Sequence, residues 1–208
     1  GGYYLSVEKS VLNVTFPNNL GFKKKEFCFS GFDIKKMADT DTRLSYEVIN
    51  ILAQKAEDLS PSSRDLYPRV LMGLEKFHLE GVNGYAKDWK EFGKWYSDEI
   101  LKGTTELTEE TKAKIKTLVG EEKDVMEKAK IVYQYVQSKS RYVSVQVGIG
   151  GWKPMLASDV DRVGYGDCKA LSNYMVSLLK EAGIKANYVL IDAGESARAL
   201  VEEFPSPM

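Results

Sequence analysis

The chain has 208 residues, enough to bury a sizeable core in one domain or two smaller ones, and 43% hydrophobic with 28% charged residues excludes disorder and fibrous repeats. The formal charge of −1 argues against a dedicated nucleic-acid binder, and the only compact basic run, Lys23 to Lys25, reads as a solvated turn or strand end. Two cysteines and a single histidine, His78, are too few for a disulfide framework or a tetrahedral structural zinc site, so two free thiols and no metal or cofactor are expected.

No segment has the long apolar run of a membrane span, and the opening GGYYLSVEKS lacks the basic and apolar regions of a signal peptide. Short β-type runs follow in residues 1–84: Tyr3 to Thr15, Lys25 to Phe29, Leu44 to Leu52 and Arg69 to Glu80. They are divided by FPNNLG, DTDT and EDLSPSSRD, and read as antiparallel strands with polar turns. In LSYEVINI apolar residues occur on both faces, which predicts a strand of a two-faced, sandwich-like domain. Cys28 lies in one of these alternating runs, KEFCFSGF.

After Gly84 the apolar period lengthens to about 3.6. Trp89, Phe92, Trp95, Tyr96 and Ile100 share one helical face, an aromatic stripe that reads as core. LTEETKAKIKTLVG is a second helix, with Thr108 as cap and Gly120 as terminator. A third, from about Glu122 to Ser138, is predicted to bury Val125, Ala129, Val132, Tyr133 and Val136. Arg141 to Val147 reads as a strand or extended run, GIGGWKP as a glycine-rich loop, and ANYVLID, Ala186 to Asp192, as a strand. Residues 85–208 are therefore expected to be a separate α+β unit.

The segment GYGDCKALSNYMVSLLKEAGI carries the chemistry. Asp167 is a good N-cap, Gly183 with Ile184 a good C-terminal cap, and Cys168 then occupies the first helical position. A thiol is a useful nucleophile only as thiolate, a form favoured by the unpaired N–H groups and partial positive charge of a helix N-terminus. Those N–H groups also suit a developing oxyanion, and Gly164 and Gly166 allow close approach of another chain to the sulfur. Leu171, Met175, Leu178, Leu179 and Ala182 recur at helical spacing and predict a buried face, with Cys168 on the same side. Read by position alone, Cys168 is equally a small buried apolar residue.

GYGDCKALSNYMVSLLKEAGIKANYVLI resembles the nucleophile segment of the transglutaminase-like superfamily, in which a Gly-x-Cys turn opens a helix that ends in Gly-Ile and runs into a strand. Arg141-Tyr142, GGWKP and Ala157-Ser158 resemble the approach segment of bacterial members, so the resemblance spans roughly Val125 to Asp192. Lys169 and the preceding β-rich region with DWKEFGKWY resemble a bacterial subgroup in which a domain of unknown function precedes this core. The resemblance implies an α+β fold: the C-terminal part of a β-sandwich-like domain in residues 1–84, then a partial papain-like core in residues 85–208. It also implies Cys168 as the nucleophile of a Cys-His-Asp triad, a peptide or protein substrate, and a bacterial cell-envelope or secreted location.

No histidine follows Asp192, so the triad's other members are expected beyond Met208, and the chain reads as truncated at both ends. His78 is an alternative base, though an ordinary strand histidine fits its setting better. Trp152 and Gln146 are further candidates to line the acyl site or polarise a carbonyl, with a packing role the plainer reading for the tryptophan. Cysteine-dependent acyl transfer on peptide or protein amides, by hydrolysis or by amide exchange, is the leading expectation. The alternative is a non-catalytic module that binds a protein or glycan on the same scaffold. Oligomeric state is not legible.

Overall fold

A computed structural model describes residues 4–55, 57–191 and 201–205. The chain is α+β and divides into two compact units, residues 1–77, 84–89 and 201–208 in one, 78–83 and 90–200 in the other.

The first unit is β-rich. Strands β1 (Val7–Thr15), β2 (Phe22–Phe27), β3 (Ile34–Asp39) and β4 (Arg43–Ile51) precede a short helical turn, α1 (Ser63–Leu66), and β5 (Arg69–Leu74). β4 is the centre of an antiparallel sheet ordered β1-β4-β3, while β2 pairs with β5 in a separate two-stranded ribbon. Leu44, Ser45 and Tyr46 are buried in succession, so β4 is covered on both faces, as its mixed alternation implied. The Tyr46 hydroxyl donates to Glu26 on β2, which also takes an ion pair from Lys36 on β3. β3 lies in a region where periodicity gave no signal, because its outward residues Lys35, Lys36 and Met37 leave only Ile34 and Ala38 partly buried. Cys28 sits just past β2 at a positive φ of 57°, its thiol 3.3 Å from the Asp65 carbonyl.

The run from Arg69 to Glu80 is broken into β5 and β6 (Lys76–Leu79), and β6 pairs with β7 (Val82–Tyr85). Glu80 and Gly81 both have positive φ, the two-residue turn that matches strand twist.

The second unit is mainly helical. α2 (Trp89–Trp95) continues into a π-helical turn, Tyr96–Ile100, followed by α3 (Glu109–Val119) and α4 (Val125–Lys139). Thr108 caps α3 by accepting from the Thr111 N–H at 3.2 Å, and Gly120 ends it at φ 49°. Asp124 caps α4 by accepting from Met126 and Glu127. β8 (Arg141–Tyr142), a 3₁₀ turn at Gly148–Gly151, α5 (Ala157–Val163), β9 (Tyr165–Gly166) and α6 (Cys168–Glu181) complete the described elements. Ile115, Val132, Val160, Tyr174 and Leu178 are fully buried between α3, α4, α5 and α6 and form the centre of this core. Each such side chain contributes about 1.5–3 kcal/mol of apolar burial.

Three sequence expectations are corrected here. On α4, Val132 and Val136 are buried and Ala129 is half-buried, but Val125 and Tyr133 are 58% and 54% exposed, because the face turned to the core runs through Ile131, Val132, Tyr135 and Val136. Of the strand or extended run expected from Arg141 to Val147, only Arg141 and Tyr142 pair as a strand among the described residues, in parallel with Tyr165 and Gly166. Residues 186–191 form no ladder among the described residues, and Val189, Leu190 and Ile191 are exposed; alternation marks a strand's two faces, but a strand exists only where a partner accepts its hydrogen bonds. Asp192 lies outside the described residues.

Candidate active site

α6 begins as its sequence implied. The Asp167 carboxylate accepts the Ala170 N–H at 2.9 Å, and Cys168 is the first helical residue. At the other end Gly183 takes φ 77°, and the Ile184 N–H reaches back to the Leu179 carbonyl at 2.9 Å while its side chain packs on the core. Asp167 is 96% buried, and its second oxygen holds the Lys169 ammonium at 2.5 Å, the lysine side chain being 11% exposed. The carboxylate is thus fully engaged in fixing the first turn. The N–H groups of Cys168 and Lys169 have no backbone acceptor among the described residues, as expected of the opening positions of a helix.

The two glycines act locally. Gly164 ends α5 in a left-handed conformation, where a Cβ would lie 3.1 Å from the Lys139 carbonyl, and a Cβ on Gly166 would lie 2.7 Å from the Ala170 Cβ. Their carbonyls accept from Arg141 and Val143. The close approach they permit is that of α6's first turn and of the 141–143 segment.

Cys168 is an exposed free thiol, which corrects the expected buried placement. The buried face of α6 runs through Ala170, Asn173, Tyr174, Ser177 and Leu178, and at about 100° per residue this face is centred roughly opposite Cys168. Leu171, Met175 and Leu179 are only partly buried at its margin. Polar partners cause the rotation. Asn173 donates to the Thr104 carbonyl at 2.8 Å, a carbonyl that also accepts the Ala157 N–H, and the Tyr174 hydroxyl donates to Asp161 on α5. Burial, together with the Asp161 charge, pushes the Tyr174 hydroxyl far above its ordinary titration range.

Asp161 gathers four elements: Lys139 on α4 at 2.8 Å, Thr111 on α3 at 2.8 Å, and Tyr174 on α6 all meet its carboxylate on α5. Burial alone would raise its pKa, but the hydrogen bonds from Lys139, Tyr174 and Thr111 outweigh it and hold the carboxyl below its usual value.

Around the mouth of α6, Tyr96 is buried and donates its hydroxyl hydrogen to the Trp152 carbonyl at 2.7 Å, tying the π-helical turn to the glycine-rich loop. Tyr188 stacks on Tyr96 with ring centroids 6.1 Å apart and 16° between planes. Burial raises the pKa of both, and Tyr188 also feels the charges of Lys169, Cys168 and Asp167. Sequence reasoning placed Tyr96 in a core stripe and did not single out Tyr188. Trp152 is half-buried and Gln146 exposed. His78 is exposed on β6 with Nδ1 2.8 Å from the Asn83 side-chain oxygen, and no hydrogen bond joins it to Cys168 among the described residues.

No curated protein sequence matches this chain. Its fold is similar to a crystal structure described as a "putative protease" from Parabacteroides distasonis, with a TM-score of 0.56 at 16% identity over 86% of this chain. This chain spans 33% of the length of that protein. The family profile described as the transglutaminase-like superfamily matches residues 112–201, which include α4, α5 and all of α6. The segment 112–201, whose last described helix is opened by Cys168, is similar to the transglutaminase-like superfamily.

Proposed function

We propose that this chain carries the nucleophile of a cysteine-dependent acyl-transfer enzyme acting on peptide or protein amides. The observation that carries the reading is the placement of Cys168: an exposed thiol at the first position of a capped helix, inside the segment that matches the superfamily. In the reaction, Cys168 Sγ gives up its proton to a general base and attacks the amide carbonyl. A C–S bond forms, the C–N bond breaks, and the amine departs with a proton. The Cys168 and Lys169 N–H groups are the available donors for the oxyanion of the tetrahedral intermediate. Water then releases an acid, or a second amine forms a new amide. The neighbour described as a protease supports the hydrolytic outcome by analogy of fold.

His78 is engaged with Asn83 and is not assigned as that base. The test is the rate of iodoacetamide labelling at neutral pH, with Cys28 as internal reference. Cys168 is expected to react about tenfold or more faster than an ordinary thiol. A rate no faster than that of a free thiol sinks the catalytic reading in favour of a binding module.

A further inference from the structure

A second feature belongs wholly to the β-rich unit. The connection from β1 to β2, the start of β2 and the turn between β3 and β4 wall a cavity of about 390 Å³, whose lining includes Phe16, Asn18, Phe22, Lys24, Asp39 and Asp41. The volume falls within the roughly 300–1,000 Å³ of ligand pockets.

The walls are held by the fold's own hydrogen bonds. The Phe16 N–H donates to the Thr42 carbonyl at 3.0 Å, and the Thr40 hydroxyl oxygen accepts the Arg43 N–H at 3.1 Å within the β3–β4 turn. Gly21 takes φ 64°, its carbonyl accepts the Glu75 N–H at 3.0 Å, and a Cβ there would lie 2.8 Å from the Glu75 side chain. Phe16 and Phe22 stack with ring centroids 3.7 Å apart and 13° between planes, and both stay half-buried, so both rings give the cavity apolar surface at a fixed spacing.

The polar groups define the ligand. Asp41 and Asn18 make no side-chain hydrogen bond or ion pair among the described residues, and they offer a carboxylate acceptor and an amide that both donates and accepts. Lys24 pairs with Asp39, whose other oxygen holds Lys36 at 3.3 Å. Beyond that ion pair the Lys24 Nζ is buried with no hydrogen-bond partner among the described residues, a donor that a ligand oxygen would satisfy.

Lys24 and Lys36 balance Asp39 and Asp41, so no surplus charge is offered to an ionic ligand: an anion would meet Asp41, and a cation would meet Lys24. A purely apolar ligand would strip water from Asp41 and Asn18 and replace none of their hydrogen bonds. A ligand with C–H groups for the rings and several neutral hydroxyls for the polar side chains meets every one of these conditions.

We infer that this cavity binds a neutral saccharide, one sugar ring packing its C–H groups on Phe16 and Phe22 while its hydroxyls donate to Asp41 and accept from Asn18 and Lys24. The site is independent of the role proposed for Cys168.

Cellotriose, maltotriose and triacetylchitotriose, each titrated into the protein and followed through its backbone amide NMR signals, test it. At least one is expected to give saturable shifts centred on residues 16–24 and 39–42, with a Kd of about 1 mM or tighter. Asp41→Ala, in an exposed turn outside the β3–β4 ladder, should leave the fold intact and weaken that binding about tenfold, the effect of losing one charge-assisted hydrogen bond. Absence of saturable shifts with all three sugars overturns the inference. Unchanged affinity in Asp41→Ala overturns it too, as do equally strong shifts of the same amides by arginine amide or inorganic phosphate, which would make the cavity an ionic site.

Discussion

Lys139 and Asp161 form an ion pair at 2.8 Å that joins α4 to α5 beneath α6, with the aspartate side chain 15% exposed. Burial opposes the charge on Lys139, but the Asp161 partner more than offsets it and the lysine pKa is raised; the Asp161 pKa is lowered.

The pair makes stability depend on pH at both extremes. A carboxyl whose folded pKa is depressed adds stability that is present above its unfolded pKa, near 4, and is lost as pH falls through the folded value. A lysine with a raised folded pKa adds stability that is present below about 10.4 and is lost as pH rises through the folded value. Asp161→Asn is expected to cost about 2 kcal/mol at neutral pH and to flatten the acid limb. Urea titrations at pH 7 and pH 3 measure this. An equal loss at both would show that the charge contributes nothing.

Asp167 does two things, and substitution separates them. Asp167→Ala removes the cap, at about 1 kcal/mol, and also strands the nearly buried Lys169 ammonium, so the total should exceed the cap alone. Asp167→Asn keeps a capping oxygen and loses only the ion pair. Chemical denaturation of the two variants should rank Ala well below Asn. Matching losses would mean that the cap adds nothing beyond the Lys169 pairing.

Gly166 and Gly183 are both required for different reasons. Gly166→Ala drives a Cβ to 2.7 Å from the Ala170 Cβ, so the first turn of α6 must shift and Cys168 with it. Gly183→Ala meets nothing within 4 Å but places a side chain at φ 77°, at a cost of about 1 kcal/mol. The first should change the Cys168 alkylation rate, whereas the second should lower the denaturation midpoint and leave that rate alone. A normal rate in Gly166→Ala would show that the turn absorbs the methyl group.

The caps at Thr108, Gly120, Asp167 and Gly183 were legible because each is a contact between residues a few positions apart, and that chemistry travels with the sequence. The rotation of α6 was not. Apolar spacing pointed to Leu171 and Met175, but Asn173 and Tyr174 find partners 69 and 13 residues away, and those buried hydrogen bonds decide which face turns inward. Burying Asn173 unpartnered would cost about 1–3 kcal/mol, so Thr104 must be in place before that rotation is favourable. Cys168 was legible as the residue at the helix mouth, but its exposure was not, because it follows from that rotation.

The Tyr96 hydroxyl is a side-chain constraint on the glycine-rich loop. It bonds the Trp152 carbonyl directly after the 3₁₀ turn at Gly148–Gly151, while the Trp152 and Lys153 N–H groups both turn back to the Ile149 carbonyl. Tyr96→Phe keeps the buried ring and removes one hydrogen bond, leaving the carbonyl without its partner, a loss of about 1–2 kcal/mol. The global denaturation midpoint should fall modestly, while hydrogen exchange should rise most sharply between residues 148 and 153. If exchange there is unchanged, the loop is held by its own turn and Tyr96 is packing alone.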